Sequence, residues 1–149
     1  MSRTRHYRDL IAWQKAMELA RLVYTSTEEF PKSETFGLRM QLRRSSVNVA
    51  SHIAEAHGRL NDAEMRKGLG AARAAINELQ TQTELAASLG FFNEAASGEL
   101  LDLGTRVAKH YQCSARSVGT GKRTCELAAR LAPTCEERIS IHEHTDQMA

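Results

Sequence analysis

Met65, Leu69, Ala72, Ile76, Leu79, Thr83 and Ala86 keep a three-four spacing over three heptads. That rhythm draws one continuous stripe along an α-helix. It fits no strand, where side chains alternate with a period of two. Three other segments carry the same period. From about Arg8 to Thr27, Leu10, Trp13, Met17, Ala20 and Tyr24 form a stripe, which Ala12, Ala16, Leu19 and Val23 widen. From Asn93, a residue suited to an N-cap, to about Tyr111, the stripe is Ala96, Leu100, Leu103 and Val107. The fourth segment runs from about Glu34 to His57, after the break at "EEFPKSETFG", where Pro31 disfavours helix at Phe30 and Ser33 can open the next one. With only two prolines in 149 residues, the pattern predicts an all-α protein. Four amphipathic helices on short joins pack most simply as an antiparallel up-down four-helix bundle over residues 1–112.

The second segment differs from the others in having two apolar sides. Leu38, Leu42, Val49, Ile53 and Ala56 make the main one, and Met40, Val47 and Ala54 make another. Such a helix needs two neighbours, its own bundle on one side and a sister chain on the other. Gly58 is a natural stop, and Asn61 or Asp62 can cap the third helix, with Glu64 in its first turn. Gly68 and Gly70 each cost about 1 kcal/mol of helix propensity relative to alanine, which a close helix approach would explain.

Formal net charge is +2, too little to indicate nucleic acid from the whole chain. Its distribution is uneven. Residues 1–60 hold ten Lys or Arg against six Asp or Glu, and residues 61–112 hold five against seven. An anion-binding surface is therefore expected in the first half. Cys113, Cys125 and Cys135 are odd in number and widely spaced, which fits reduced thiols rather than a disulfide framework or a zinc knuckle. No apolar run reaches bilayer length, and the basic start lacks an apolar signal core, so the expectation is a soluble cytoplasmic protein without a membrane partner.

The segments "YRDLIAWQKAMELARLVY", "FPKSETFGLRMQLRRSSVNVASHIAEAHGR" and "ELQTQTELAASLGF" resemble a family of bacterial four-helix-bundle proteins. That family was first noticed as open reading frames within intervening sequences of large-subunit ribosomal RNA genes. The resemblance covers about residues 5–112. It implies an up-down bundle assembled as a homopentameric ring, with no established enzymatic activity. Similar pentameric bundles act as nucleic-acid-binding accessory proteins beside reverse transcriptases. The chain departs from the family where His52-Ile53-Ala54-Glu55-Ala56 replaces the usual Asn-Ile-Ala-Glu-Gly, and in its ending. The family's last helix continues past the position of Tyr111, whereas here the period is lost at Cys113. Residues 113–149 thus read as a variable, poorly ordered tail, and a frameshift within the gene is one origin for it.

The candidate chemistry centres on "LRRSSVNVASHIAEAHGR", residues 42–59. His52 and Glu55 can meet on one helix face, but His57 points about 140° away, so the His-Glu-x-x-His metal pattern is not formed. "IHEH" near the end adds His142, Glu143 and His144 without a helix to place them. "SARSVGTGKRT" is no phosphate loop, because Arg116 fills the first glycine position and Arg123 follows Lys122. No nucleophile has a positioned partner. The reading is therefore a non-enzymatic, cofactor-free and metal-free homo-oligomer that binds RNA or DNA backbone through Arg39, Arg43, Arg44 and Arg59. Asn48, His52 and Glu55 would act as structural or interface polar residues, fixing geometry between helices; against the phosphate role of Arg59 stands a helix salt bridge to Glu55, four residues before it. Trp13 belongs to packing. No exposed aromatic for base stacking is evident, which argues against a single-strand specialist. The alternative is a protein-interaction or scaffold module with no nucleic-acid role.

Overall fold

The computed structural model describes residues 6–120, with side chains through Tyr111. Among these residues there are four α-helices and no strand: α1 (Ile11–Ser26), α2 (Leu38–His57), α3 (Asp62–Ser88) and α4 (Glu94–Thr120). Single turns of 3-10 helix, Tyr7–Asp9 and Lys32–Glu34, precede α1 and α2. Each helix packs on its sequence neighbours, and α1 closes the ring against α4. The fold is the up-down four-helix bundle that the periodicity predicts.

Local chemistry sets most of the ends. The Asn61 side chain accepts from the Glu64 N–H at 2.9 Å, and the Asn93 side chain accepts from the Ala96 N–H at 2.7 Å. At the end of α3, Gly90 takes φ 77°. The Phe91 N–H then donates to the Ala86 carbonyl at 2.9 Å and the Gly90 N–H to the Ala87 carbonyl at 3.0 Å, a Schellman closure that only glycine enters cheaply. The resulting turn sets Phe91 and Phe92 against Phe30 of the α1–α2 connection, at centroid distances of 5.4 and 4.9 Å. Two linkers thus meet at one end of the bundle through three rings.

Three boundaries differ from the sequence reading. α2 starts at Leu38 rather than Glu34: Gly37 is its N-cap, and the Glu34 carboxylate three residues before accepts from the Leu38 N–H at 2.9 Å, where Ser33 was the expected cap. α1 starts at Ile11, after the 3-10 turn. The α4 backbone continues nine residues beyond Tyr111, to Thr120. Adding residues to an existing helix is easy once a nucleus exists, and "QCSARSV" contains no breaker before Gly119. The remainder of the tail, including His142, Glu143 and His144, lies outside the described residues.

The core also corrects the reading of α1. Its buried residues are Ala12, Ala16, Leu19 and Val23, the set expected only to widen the stripe, together with Ala20 of the stripe itself. Leu10, Trp13 and Met17 are half-buried, and Tyr24 is 44% exposed. These side chains sit on the rim of the core, toward the outer side of α2. Opposite Leu19 and Val23, α2 contributes Leu42, Val49 and Ile53, α3 contributes Ile76 and Leu79, and α4 contributes Leu103 and Val107. The expected explanation of the two α3 glycines holds for one of them. A Cβ on Gly68 would lie 2.9 Å from the Ala56 Cβ and 3.0 Å from its Cα, so α2 and α3 touch there backbone to backbone. A Cβ on Gly70 would meet nothing within 4 Å.

Candidate nucleic-acid interface

The outer face shared by α1 and α2 carries two concavities that adjoin at Tyr24. The first is an open apolar groove of about 720 Å³, walled by Trp13, Met17 and Ala20 of α1 and by Val47, Ala50 and Ala54 of α2. Tyr7 closes one end, its ring edge-on to Trp13 at 5.3 Å. Val47 is 43% exposed and Met40, further toward the start of α2, is 41% exposed. The second apolar side of α2 therefore exists, and within one chain its Met40 and Val47 lie open.

The second concavity, about 430 Å³, is walled by Tyr24, Thr35, Arg39, Met40, Arg43 and Arg44. The three arginines meet here because α2 begins at Leu38, so all fall within its first two turns. Their states differ. Arg43 lies across the Tyr24 ring, its guanidinium carbon 4.7 Å from the centroid. Its Nε donates to the Thr27 hydroxyl at 2.9 Å and its Nη2 to the Tyr24 carbonyl at 3.2 Å. Thr27, wholly buried, donates its own proton to the Val23 carbonyl at 2.8 Å. Arg43 is thus fixed in place with two of its five N–H groups engaged. Arg39 is half-buried and Arg44 exposed, and neither meets an acid within ion-pair distance among the described residues.

Arg59 is not part of this cluster. Gly58 ends α2, so Arg59 leaves the helical register, roughly 20 Å along the axis from Arg44. For the same reason the Glu55–Arg59 pair does not form. The Glu55 carboxylate lies 3.5 Å from the His52 Nδ1 instead. His52 and Glu55 are joined within α2, not to a second helix. Asn48 is half-buried and makes no side-chain hydrogen bond among the described residues.

The sequence reading missed the exposed aromatics. Phe36 is 84% exposed and stands in the turn between Thr35 and Arg39, two residues of the arginine pocket. Tyr24 falls on the stripe expected to face the core, yet it is 44% exposed, while Ala20 of the same stripe is buried and Trp13 and Met17 are half-buried. The available signal was position: Phe36 belongs to no periodic stripe, and a turn before a helix has no core to enter.

Among the described residues no three His, Cys, Asp or Glu side chains gather so as to hold a metal ion, and no helix is long and apolar enough to cross a membrane. His110 on α4 is pushed below its ordinary pKa of 6.5 by burial and secondarily by the Lys15 ammonium, far in sequence from the arginine pocket. An all-helical four-helix bundle with a basic pocket and an apolar groove on one face is the class these features define. Within that class, the sequence model described as 23S rRNA-intervening sequence protein matches residues 8–113, and the chain belongs to that family. No curated protein matched the chain.

Proposed function

We propose that this protein is a non-enzymatic helical bundle that assembles with copies of itself through the outer face of α1 and α2 and binds RNA or DNA backbone through the arginines at the start of α2. The observation that carries the reading is the adjacency of two unsatisfied surfaces. An apolar groove with Val47 exposed at its α2 side, and Met40 exposed further toward the start of the same helix, invites a protein partner. A pocket with two unpaired guanidiniums beside it invites an anion. A homopentameric ring, which the family resemblance implies, would repeat the pocket about an axis, so weak single interactions with a polyanion would add. The family's name ties these proteins to ribosomal RNA genes and fits a nucleic-acid context.

One observation favours a scaffold with no nucleic-acid role: Arg43 is already held by Thr27 and Tyr24 of its own chain. Two measurements decide. Light-scattering mass at tens of micromolar is expected to be a multiple of the 16.6 kDa chain, and Val47→Asp is expected to reduce it to one. A wild-type monomer would refute the assembly. Binding to a labelled RNA at 50 and 200 mM salt is expected to weaken steeply with salt, as displacement of phosphate counterions requires. Absence of binding at low salt, or a flat response, would leave the scaffold.

A further inference from the structure

The nucleic-acid reading leaves open which form of nucleic acid the face accepts. We propose that the pocket of Arg39, Arg43 and Arg44 takes a phosphodiester of an unpaired strand, and that the neighbouring Phe36 stacks one of its bases. The inference rests on the nucleic-acid reading above and narrows it.

Three observations carry it. First, the walls are cationic and no acid is among them. Glu34, just before the pocket, commits its carboxylate to the Leu38 N–H, and the Thr35 hydroxyl donates its proton to the Lys32 carbonyl at 2.8 Å. Anion recognition therefore falls to the guanidiniums alone. Second, Arg43 is pre-set against Tyr24 and Thr27 with three N–H groups left over. Its charge is fixed in the pocket, and Arg39 and Arg44 are the movable donors. Third, Phe36 is 84% exposed one residue from Thr35 and three from Arg39. A phenyl ring bare to water, next in sequence to a residue of the arginine pocket, has the chemistry of a stacking platform, which every base can use through its π-face. A duplex presents phosphates to such a pocket but keeps its bases stacked on one another, so it gains nothing from Phe36. Burial of Phe36 and the arginines against a sister chain is the competing occupant, and mass measurement tells it apart.

The experiment is a fluorescence titration of the full chain with a 12-nucleotide mixed-sequence RNA and with a hairpin of the same phosphate count, each at two salt concentrations. The single strand is expected to bind more tightly. Phe36→Ala is expected to lose about five- to hundredfold for the single strand, by the usual strength of one base–aromatic stack, with its salt slope and its hairpin affinity unchanged. Phe36→Tyr should restore the loss. Arg39→Ala/Arg44→Ala should weaken both ligands and lower the single-strand slope by about 0.7 for each phosphate no longer neutralised. Both variants alter side chains outside the core, and light scattering checks that mass is retained. Equal affinity for both RNAs with no effect of Phe36→Ala would overturn the inference and leave general phosphate binding standing. The inference also falls if either variant lowers the oligomer mass, since the residues then lie between chains. Binding to neither RNA at low salt would remove the nucleic-acid reading itself.

Discussion

The backbone approach of α2 to α3 makes a sharp test of the packing argument. Replacing Gly70 with alanine adds a methyl with nothing within 4 Å and removes the flexibility of a mid-helix glycine. The expected gain is about 1 kcal/mol, or about 4 °C in Tm for a domain of this size. Gly68→Ala carries the same propensity gain two residues away, but its Cβ would sit 2.9 Å from the Ala56 Cβ and 3.0 Å from the Ala56 Cα. The second of these atoms is backbone, so no rotamer change relieves the crowding, and α2 and α3 must separate by several tenths of an ångström. Overpacking of that kind costs about 1–3 kcal/mol, which cancels or reverses the gain. The two variants should therefore differ by about 1–3 kcal/mol although the chemical change is identical. Ala56→Gly, destabilising alone because Ala56 is fully buried in the core, should cost less in the Gly68→Ala background, since it deletes the atom at 2.9 Å. The relief is partial because the Ala56 backbone still crowds the new methyl. Thermal unfolding followed by far-ultraviolet circular dichroism at one protein concentration completes the double-mutant cycle. If Gly68→Ala stabilises as much as Gly70→Ala, and Ala56→Gly costs the same in both backgrounds, the close approach is not what holds these helices together.

Asn61→Ala, which removes the side-chain cap on the Glu64 N–H, is expected to cost about 1 kcal/mol in chemical denaturation with an unchanged denaturant slope. Leu42→Ala, at a fully buried position of α2, is expected to cost about 2–5 kcal/mol in the same assay. Thr27→Val removes the acceptor of the Arg43 Nε and is expected to destabilise by about 1–3 kcal/mol while loosening the guanidinium, seen as broadened Arg43 Nε resonances. For His110, burial and then Lys15 hold the folded pKa below the ordinary 6.5, so between those two values the unfolded chain binds more protons. Stability from this group is complete above pH 6.5 and declines as pH falls toward the lowered folded pKa, and His110→Gln should flatten that part of the stability profile.

The bundle was legible because its signals are local and redundant. The stripe from Met65 to Ala86 needs no partner to be recognised, and Asn61 and Asn93 announce helix starts by chemistry that acts within one turn. What the pattern could not rank was two flanks on one helix. On α1 the spacing joined Leu10, Trp13, Met17 and Tyr24 with Ala12, Ala16, Leu19 and Val23 in one broad stripe, and only the second set, with Ala20, is buried. The choice depends on how tightly α1 approaches its neighbours, and small residues there permit the closer packing. The site was legible in part. Arg39, Arg43 and Arg44 share a pocket because three residues spanning six positions of one helix stay close whatever the tertiary packing. Arg59 separated from them because a helix end, a matter of one glycine, decides whether an i, i+4 relation exists at all. Thr27 and Tyr24 reach Arg43 across 16 and 19 residues of sequence, a relation that no periodicity encodes.

Tyr24 ties the two concavities into one device. One part of its surface lines the apolar groove with Val47 and Thr25, and its ring also carries the Arg43 guanidinium that the arginine pocket shares. On the proposed reading, a sister chain seated in the groove would restrict the Tyr24 side chain, and with it the cation lying on the ring. Ordering of one surface would then lower the conformational cost at the other. Linkage requires the effect to run both ways, so a polyanion held at the arginines would strengthen assembly by the factor that assembly strengthens its binding. A bundle with separate faces for partner and ligand would couple them through avidity alone, which an anion too short to span two pockets cannot use. The placement of one tyrosine at the junction is therefore the physical reason to expect ring formation and nucleic-acid affinity to rise and fall together.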